Sequence, residues 1–278
     1  MKSKSLPVFL LLVTTLIPLS KSMPWGDKGH KFITSRAFEC LPAEMQQFKE
    51  NKGYIIEHCT DPDHRKRSTE NEPQKHFIDV DYYKEFQEGK MVMDIDSLVF
   101  IYGDSTVKKE GILPWATEET LAKLTEAFRS KDKEKILLYA SDLAHYVADG
   151  FQPQHATINY NGQLTGQKGV HSRYESKMFE KYESDLSNST ISDQGYYISN
   201  TPVYIFSYIS ASNYYDDVIL NADKYASQKC SGTFDDEYYR LLWTRTKYLT
   251  EEQVSDASRA IASMYYTAWI NAGRPALN

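Results

Sequence analysis

Between Lys133 and Ala148 the apolar residues Ile136, Leu137, Ala140, Leu143, Ala144 and Val147 recur every three or four positions, the period of a helix with one buried face. The run stops at Gly150 and Pro153, residue types that end helices. A second run begins with Thr250 and Gln253, spaced as a capping box. It carries Val254, Ala257, Ile261, Met264, Tyr265 and Trp269 on one stripe until Gly273 and Pro275. Shorter patterns predict helices near Gly29 to Phe38, Thr117 to Phe128, His171 to Tyr182, Tyr204 to Tyr225 and Asp235 to Tyr248. Strand-like alternation is nearly absent, and a chain of 278 residues suits one core, so the expected fold is all-α, a single-domain multi-helix bundle. The polar, turn-rich stretches from Asp61 to Gln74 and from Tyr160 to Gly169 read as loops.

The first residues have a different character. Lys2 and Lys4 precede an apolar run from Leu6 to Leu19 that gives way to the small residues Ser20 and Ser22, the shape of a secretory signal peptide over residues 1–22. The mature chain is then expected to be 23–278, secreted or periplasmic. The competing reading, an uncleaved anchor, meets the difficulty that the run is shorter than the roughly 20 residues that cross a bilayer. No other stretch is apolar enough to span one, so no integral span is expected after cleavage. A net charge of −6 argues against stable binding of duplex DNA, which needs a dense basic surface. Cys40, Cys59 and Cys230 are too few for a disulfide scaffold, and either a Cys40–Cys59 bridge or three unpaired thiols fits the sequence.

The histidines carry the chemical signal. His145 and Asp149 lie four apart on the first helix, so both project from one face about a turn apart. His171 and Glu175 repeat that spacing, and His155 follows the turn at Gly150 and Pro153 that brings the chain back beside the helix. Imidazole nitrogen with carboxylate oxygen suits zinc, whereas an all-oxygen magnesium site needs no histidines. Upstream, His30 follows Trp25, Asp63 follows Asp61-Pro62, and His76 opens His76-Phe77-Ile78-Asp79. Taken alone, each of these reads better as a helix-start histidine, a turn aspartate or a half-buried imidazole than as a ligand.

In this order the residues resemble the zinc-dependent phospholipase C and single-strand-specific nuclease superfamily, with HYVADGFQPQH and GVHSRYE as the most specific segments. The resemblance implies a helical protein with a trinuclear zinc site. One ion would be held by Asp63, His76, His145 and Asp149, and a second by His155, His171 and Glu175. A third would be held by Trp25 and His30, with Asp149 bridging it to the first. Trp25 would donate its α-amine and carbonyl, so a mature chain starting there requires trimming past Met23 and Pro24. Asp61 is the alternative to Asp63, since both lie within one short turn.

The implied activity is hydrolysis of a phosphodiester by metal-activated water. Asp63, Asp79 and Lys66 are the candidate catalytic residues. Asp63 would act through the metal, and Asp79 would orient a ligand histidine or the water. Lys66, or Arg65 beside it, would meet charge on the phosphoryl oxygens. The Trp25-to-His30 spacing and the run from His76 to Asp79 resemble the nuclease branch, and Glu175 as the last ligand resembles the phospholipase branch. The substrate is therefore phospholipid or single-stranded nucleic acid, with a monomeric enzyme expected. A phosphomonoesterase and a non-catalytic zinc-binding helical protein are the competing readings. The proposed second site has only three protein ligands and no cysteine, which favours open, catalytic coordination over a structural site.

Overall fold

The computed structural model describes residues 25–187 and 193–276; the expected signal peptide over residues 1–22 lies outside them. In chain order the helices are α1 (Gly26–Ala37), α2 (Lys52–His58), α3 (Asp61–Arg65), α4 (Lys84–Gln87), α5 (Ile95–Tyr102), α6 (Asp104–Lys109), α7 (Leu113–Ser130), α8 (Lys133–Gly150), α9 (Val170–Ser172), α10 (Phe179–Ser187), α11 (Thr201–Lys229) and α12 (Asp236–Asn271). Short 3-10 turns cover Ala43–Asn51, Pro73–His76, Val80–Tyr82 and Pro153–His155, and a π-helical segment covers Arg173–Met178. No strand occurs among the described residues, and the architecture is all-α around a single hydrophobic core.

The central element is α12, which packs on α1, α7, α8 and α11. Its Tyr265 is fully buried, donates to Ala140 O at 2.7 Å, and meets Phe38 and Phe48 ring to ring. Burying a large aromatic there joins α8, α1 and α12 in one packed unit, and the hydroxyl keeps a partner as a buried phenol requires. Asp132 caps α8 by accepting from Lys135 N, and the apolar stripe of α8 from Ala140 to Val147 turns into the core.

Three expectations are corrected. The helices expected at Asp235 to Tyr248 and from Thr250 onward are one, α12. Thr250 caps nothing: its hydroxyl bonds Thr246 O inside the helix at 2.9 Å and meets Tyr174 OH at 3.0 Å, while Gln253 reaches Phe151 O at 2.6 Å. Tertiary partners for these two polar side chains remove the reason for a break. The region Asp61 to Gln74 is not all loop, since α3 begins at Asp61. The helix expected at His171 to Tyr182 divides into α9, the π segment and α10. All three cysteines are free thiols, with Cys40 and Cys59 buried. No helix among the described residues is long and apolar enough to cross a membrane.

Candidate metal centre

Because α8 is regular through Gly150, His145 and Asp149 stand one turn apart, and both are wholly buried. Chain segments far apart in sequence bring their donors to this pair. From the turn before Phe77, His76 places Nδ1 2.9 Å from His145 Nε2 and 3.0 Å from Asp149 Oδ2. From α3, Asp63 places Oδ1 3.6 Å from both of those imidazole nitrogens. From α1, His30 stacks on His145 at 3.9 Å and points Nε2 at Asp149 Oδ1, 3.4 Å away.

His155 sits 3.4 Å from Asp149 Oδ1 through Nδ1 and 3.7 Å from Glu175 Oε1 through Nε2, and Glu175 pairs closely with His171. Asp149 therefore lies between the donor sets, one oxygen toward His76 and His145 and the other toward His30 and His155.

Three groups have donor atoms within 4.8 Å of one another: His30, His145 and Asp149; Asp63, His76 and His145; and His155, His171 and Glu175. Ligands at about 2.0–2.1 Å around tetrahedral zinc lie roughly 3.3 Å apart, so these spacings suit that ion with small adjustments. The imidazoles are also oriented. His145 Nδ1 faces Cys59 O at 2.8 Å and His155 Nδ1 faces His76 O at 2.7 Å, which makes each Nδ1 the donor and leaves Nε2 as the nitrogen available to a metal.

The electrostatics follow from burial and proximity. Burial pushes His76 down to about 4 and His155 down to about 3, although Asp149 beside both favours protonation. Burial works against a charge on Asp149, yet His145 and His155 hold its carboxyl well below the usual range. Asp63 is likewise lowered against burial, by His145 and by Lys66, whose Nζ lies 2.6 Å away. His145 is raised: burial opposes its charge, and Asp149 and Asp63 outweigh burial. Burial lifts Glu175 to about 7.

Several of these atoms have no hydrogen-bond partner. Both nitrogens of His30, Asp63 Oδ2, Asp149 Oδ1 and Glu175 Oε1 are buried without one. Leaving a buried polar atom unmade costs about 1–3 kcal/mol, so a folded chain with this many in one place fits a bound cation that satisfies them together. The donor set, mixed nitrogen and oxygen with no sulfur, fits zinc.

Other predicted site residues fall differently. Trp25 is buried beside the cluster, its Nε1 donating to Ala148 O at 2.9 Å and its carbonyl accepting from Gly29 N at 3.0 Å. Asp61 bonds His58 at 2.8 Å and stands outside the three groups, in contrast to Asp63. Arg65 is engaged by Asp142 at 2.9 Å and Lys66 by Asp63.

No hydrogen bond or ion pair joins Asp79 to a clustered histidine, so of the two roles expected of it the structure shows no contact for the first. Phe77 is extended and the segment pairs with the start of α7, Asp79 N bonding Glu110 O at 2.7 Å and Leu113 N bonding Phe77 O at 3.2 Å. Asp79 is held beside Glu110 rather than at the cluster. There burial, with Glu110 adjacent, raises its carboxyl to about 8. The orienting groups that sequence reasoning missed are the carbonyls of Cys59 and His76, which no side-chain pattern signals. Glu72 and Asp142, grouped with Arg65, Lys75 and Tyr146 behind His76, were also missed. Asp142, three residues before His145 on α8, was the one with a spacing cue.

The sequence model for the family described as zinc dependent phospholipase C matches residues 29–248, which takes in every clustered side chain from His30 to Glu175. This chain belongs to that family. Comparison with curated proteins gives no match. Among solved structures, this zinc-dependent phospholipase C family member is similar to the alpha toxin from Clostridium absonum, with a TM-score of 0.54 and 14% identity over 89% of this chain. The likeness spans 63% of the toxin's length, and at that identity it speaks to the fold.

Proposed function

We propose that this family member is a secreted or periplasmic, zinc-dependent hydrolase that cleaves the phosphodiester of a phospholipid. The observation that carries the reading is the convergence of eight buried His, Asp and Glu side chains, six of which hold buried atoms without a hydrogen-bond partner. Asp63, His76, His145 and Asp149 would hold one zinc, His155, His171 and Glu175 a second, and His30 with Asp149 and the Trp25 main chain a third. Trp25 takes φ 42°, a left-handed conformation that is costly for a bulky residue inside a chain. An N-terminal residue has no preceding peptide and escapes that cost, which supports a mature chain that begins at Trp25.

Bound zinc supplies Lewis-acid stabilisation of the phosphoryl oxygens and an activated water. The chain's residues do the rest. The carbonyls of Cys59 and His76 keep the tautomers of His145 and His155 ready for metal. Lys66 holds Asp63 ionised and adds positive charge beside the phosphoryl position. Tyr160, half exposed with its ring 6.4 Å from His171, gives the substrate an apolar surface at the edge of the site. The protein would act as a monomer.

The test is zinc content per mature chain together with hydrolysis of phosphatidylcholine, single-stranded DNA, bis-nitrophenyl phosphate and nitrophenyl phosphate, before and after chelation. Two or three zincs with chelator-sensitive release of the phospholipid headgroup is the expected result. Cleavage of DNA alone would move the chain to the nuclease reading, and of nitrophenyl phosphate alone to the monoesterase one. Zinc without any cleavage would make the site structural.

A further inference from the structure

The segment joining His155 to His171 is tied down at both ends. At its start the Asp81 carboxylate accepts from Thr157 Oγ1 at 2.8 Å and from Ile158 N at 2.9 Å. At its far end Gln167 Nε2 bonds Leu220 O of α11 at 2.7 Å, and the buried Arg173 holds two carbonyls of the loop. Arg173 donates through Nη1 to Lys168 O at 3.0 Å and through Nη2 to Gln167 O at 3.1 Å. Its Nε and Nη2 bond Asp223 Oδ1 of α11 at 2.9 and 2.7 Å, and the guanidinium lies 4.2 Å over the Phe234 ring. Asp223 also accepts from Gln167 Nε2 at 2.8 Å and from Tyr238 OH of α12.

Arg173 lies two residues after His171 and two before Glu175. On a helical turn, positions four apart share a face and the position midway between them faces the other way. The backbone changes from α to π geometry at Arg173, a feature that concentrates at functional sites because it re-aims side chains. The pull of Arg173 toward Asp223 on one side of this turn therefore sets the rotation at which His171 and Glu175 meet His155 on the other. A buried ion pair contributes little net stability compared with apolar packing, so geometric control is the better account of its presence. A planar fork that binds one carboxylate and two carbonyls is also something a lysine does not reproduce.

The geometry points to Arg173 and Asp223 as a positioning pair for the His155, His171 and Glu175 metal site, setting the aim of two ligands and fixing the end of the loop between them. This rests on the zinc reading of that site.

Zinc binding to the metal-stripped protein is measured by competition with a chromophoric chelator for wild type, Arg173→Lys, Asp223→Asn and Glu175→Gln, with circular dichroism and the Tm of each metal-free protein. Wild type is expected to bind zinc in distinguishable affinity classes, and Glu175→Gln marks the class that belongs to this site. Arg173→Lys is expected to weaken that class by about 10–100-fold, the range for residues that orient metal ligands, and to leave the other class unchanged. Asp223→Asn should weaken the same class, and the double variant should be no worse than the stronger single one. Should Arg173→Lys fail to fold, Asp223→Asn, which keeps the shape of the partner side chain and removes its charge, carries the test. Unchanged affinity in folded Arg173→Lys or Asp223→Asn, or equal weakening of the other zinc classes, would overturn the pair's role. Absence of zinc uptake by wild type would instead overturn the zinc reading, and the positioning role with it.

Discussion

The two halves of the metal centre are built by different means. Asp63, His76, His145 and His30 gather around Asp149 on or against the regular helix α8, and a rigid backbone with a carbonyl behind His145 determines where these donors aim. His155, His171 and Glu175 come from a 3-10 turn, a three-residue helix and a π segment, joined by a loop that Asp81 and Arg173 hold in place. The first half is anchored by the helical spacing of His145 and Asp149 on α8, whereas no ligand of the second half lies on a long helix and polar ties across the fold hold its loop. The difference teaches that similar donor sets can have different tolerances: the second half should respond to changes at residues that never approach the metal.

Asp149→Ala is the change that ignores this division, because its two oxygens face both donor sets. It is expected to remove zinc from more than one position and to lower hydrolysis by about a thousandfold, several kcal/mol of transition-state stabilisation. Metal analysis beside kinetics checks it, and retention of full zinc would show that the halves are independent after all. Next in size, stripping zinc from wild type is expected to lower Tm by about 10 °C, from ligand stabilisation of about 4 kcal/mol at a thousandfold excess over Kd. Calorimetry at fixed zinc activity reads it.

A third effect separates the halves by pH. Burial lifts Glu175 from 4.5 to about 7, so the metal-free native state keeps a proton that the unfolded chain has released. That stabilising contribution is complete below pH 4.5 and is lost as pH rises through about 7, amounting to at most about 3 kcal/mol. Glu175→Gln is expected to flatten this slope in urea unfolding of the metal-free protein, and an identical slope in the variant would assign it elsewhere. The smallest effect concerns the loop. Asp81→Ala leaves Thr157 Oγ1 and Ile158 N without their acceptor, a local loss of about 1–3 kcal/mol. Amide exchange at Ile158 should quicken about tenfold or more, with the amides of α8 unaffected.

Much of the first half was legible in the sequence, since His145 and Asp149 sit at helical spacing inside an unbroken apolar stripe. The pair His171 and Glu175 has the same spacing, but the sequence carried no sign that the turn between them becomes π-helical or that Arg173 is drawn to Asp223, 50 residues away in the chain. Thr250 and Gln253 misled in the same manner. Their spacing satisfies a local capping rule, and buried partners on Tyr174 and Phe151 overrode it.

By itself the sequence determined the helical class and the identity of the donor side chains, because helical period and residue chemistry are local properties that a short window displays. Only the tertiary structure decided which oxygen of Asp149 faces which donors, that Asp79 turns to Glu110, and that Cys59 O and His76 O set the histidine tautomers. These outcomes depend on backbone groups, which carry no residue-specific signature, meeting side chains dozens of positions away once the core has packed.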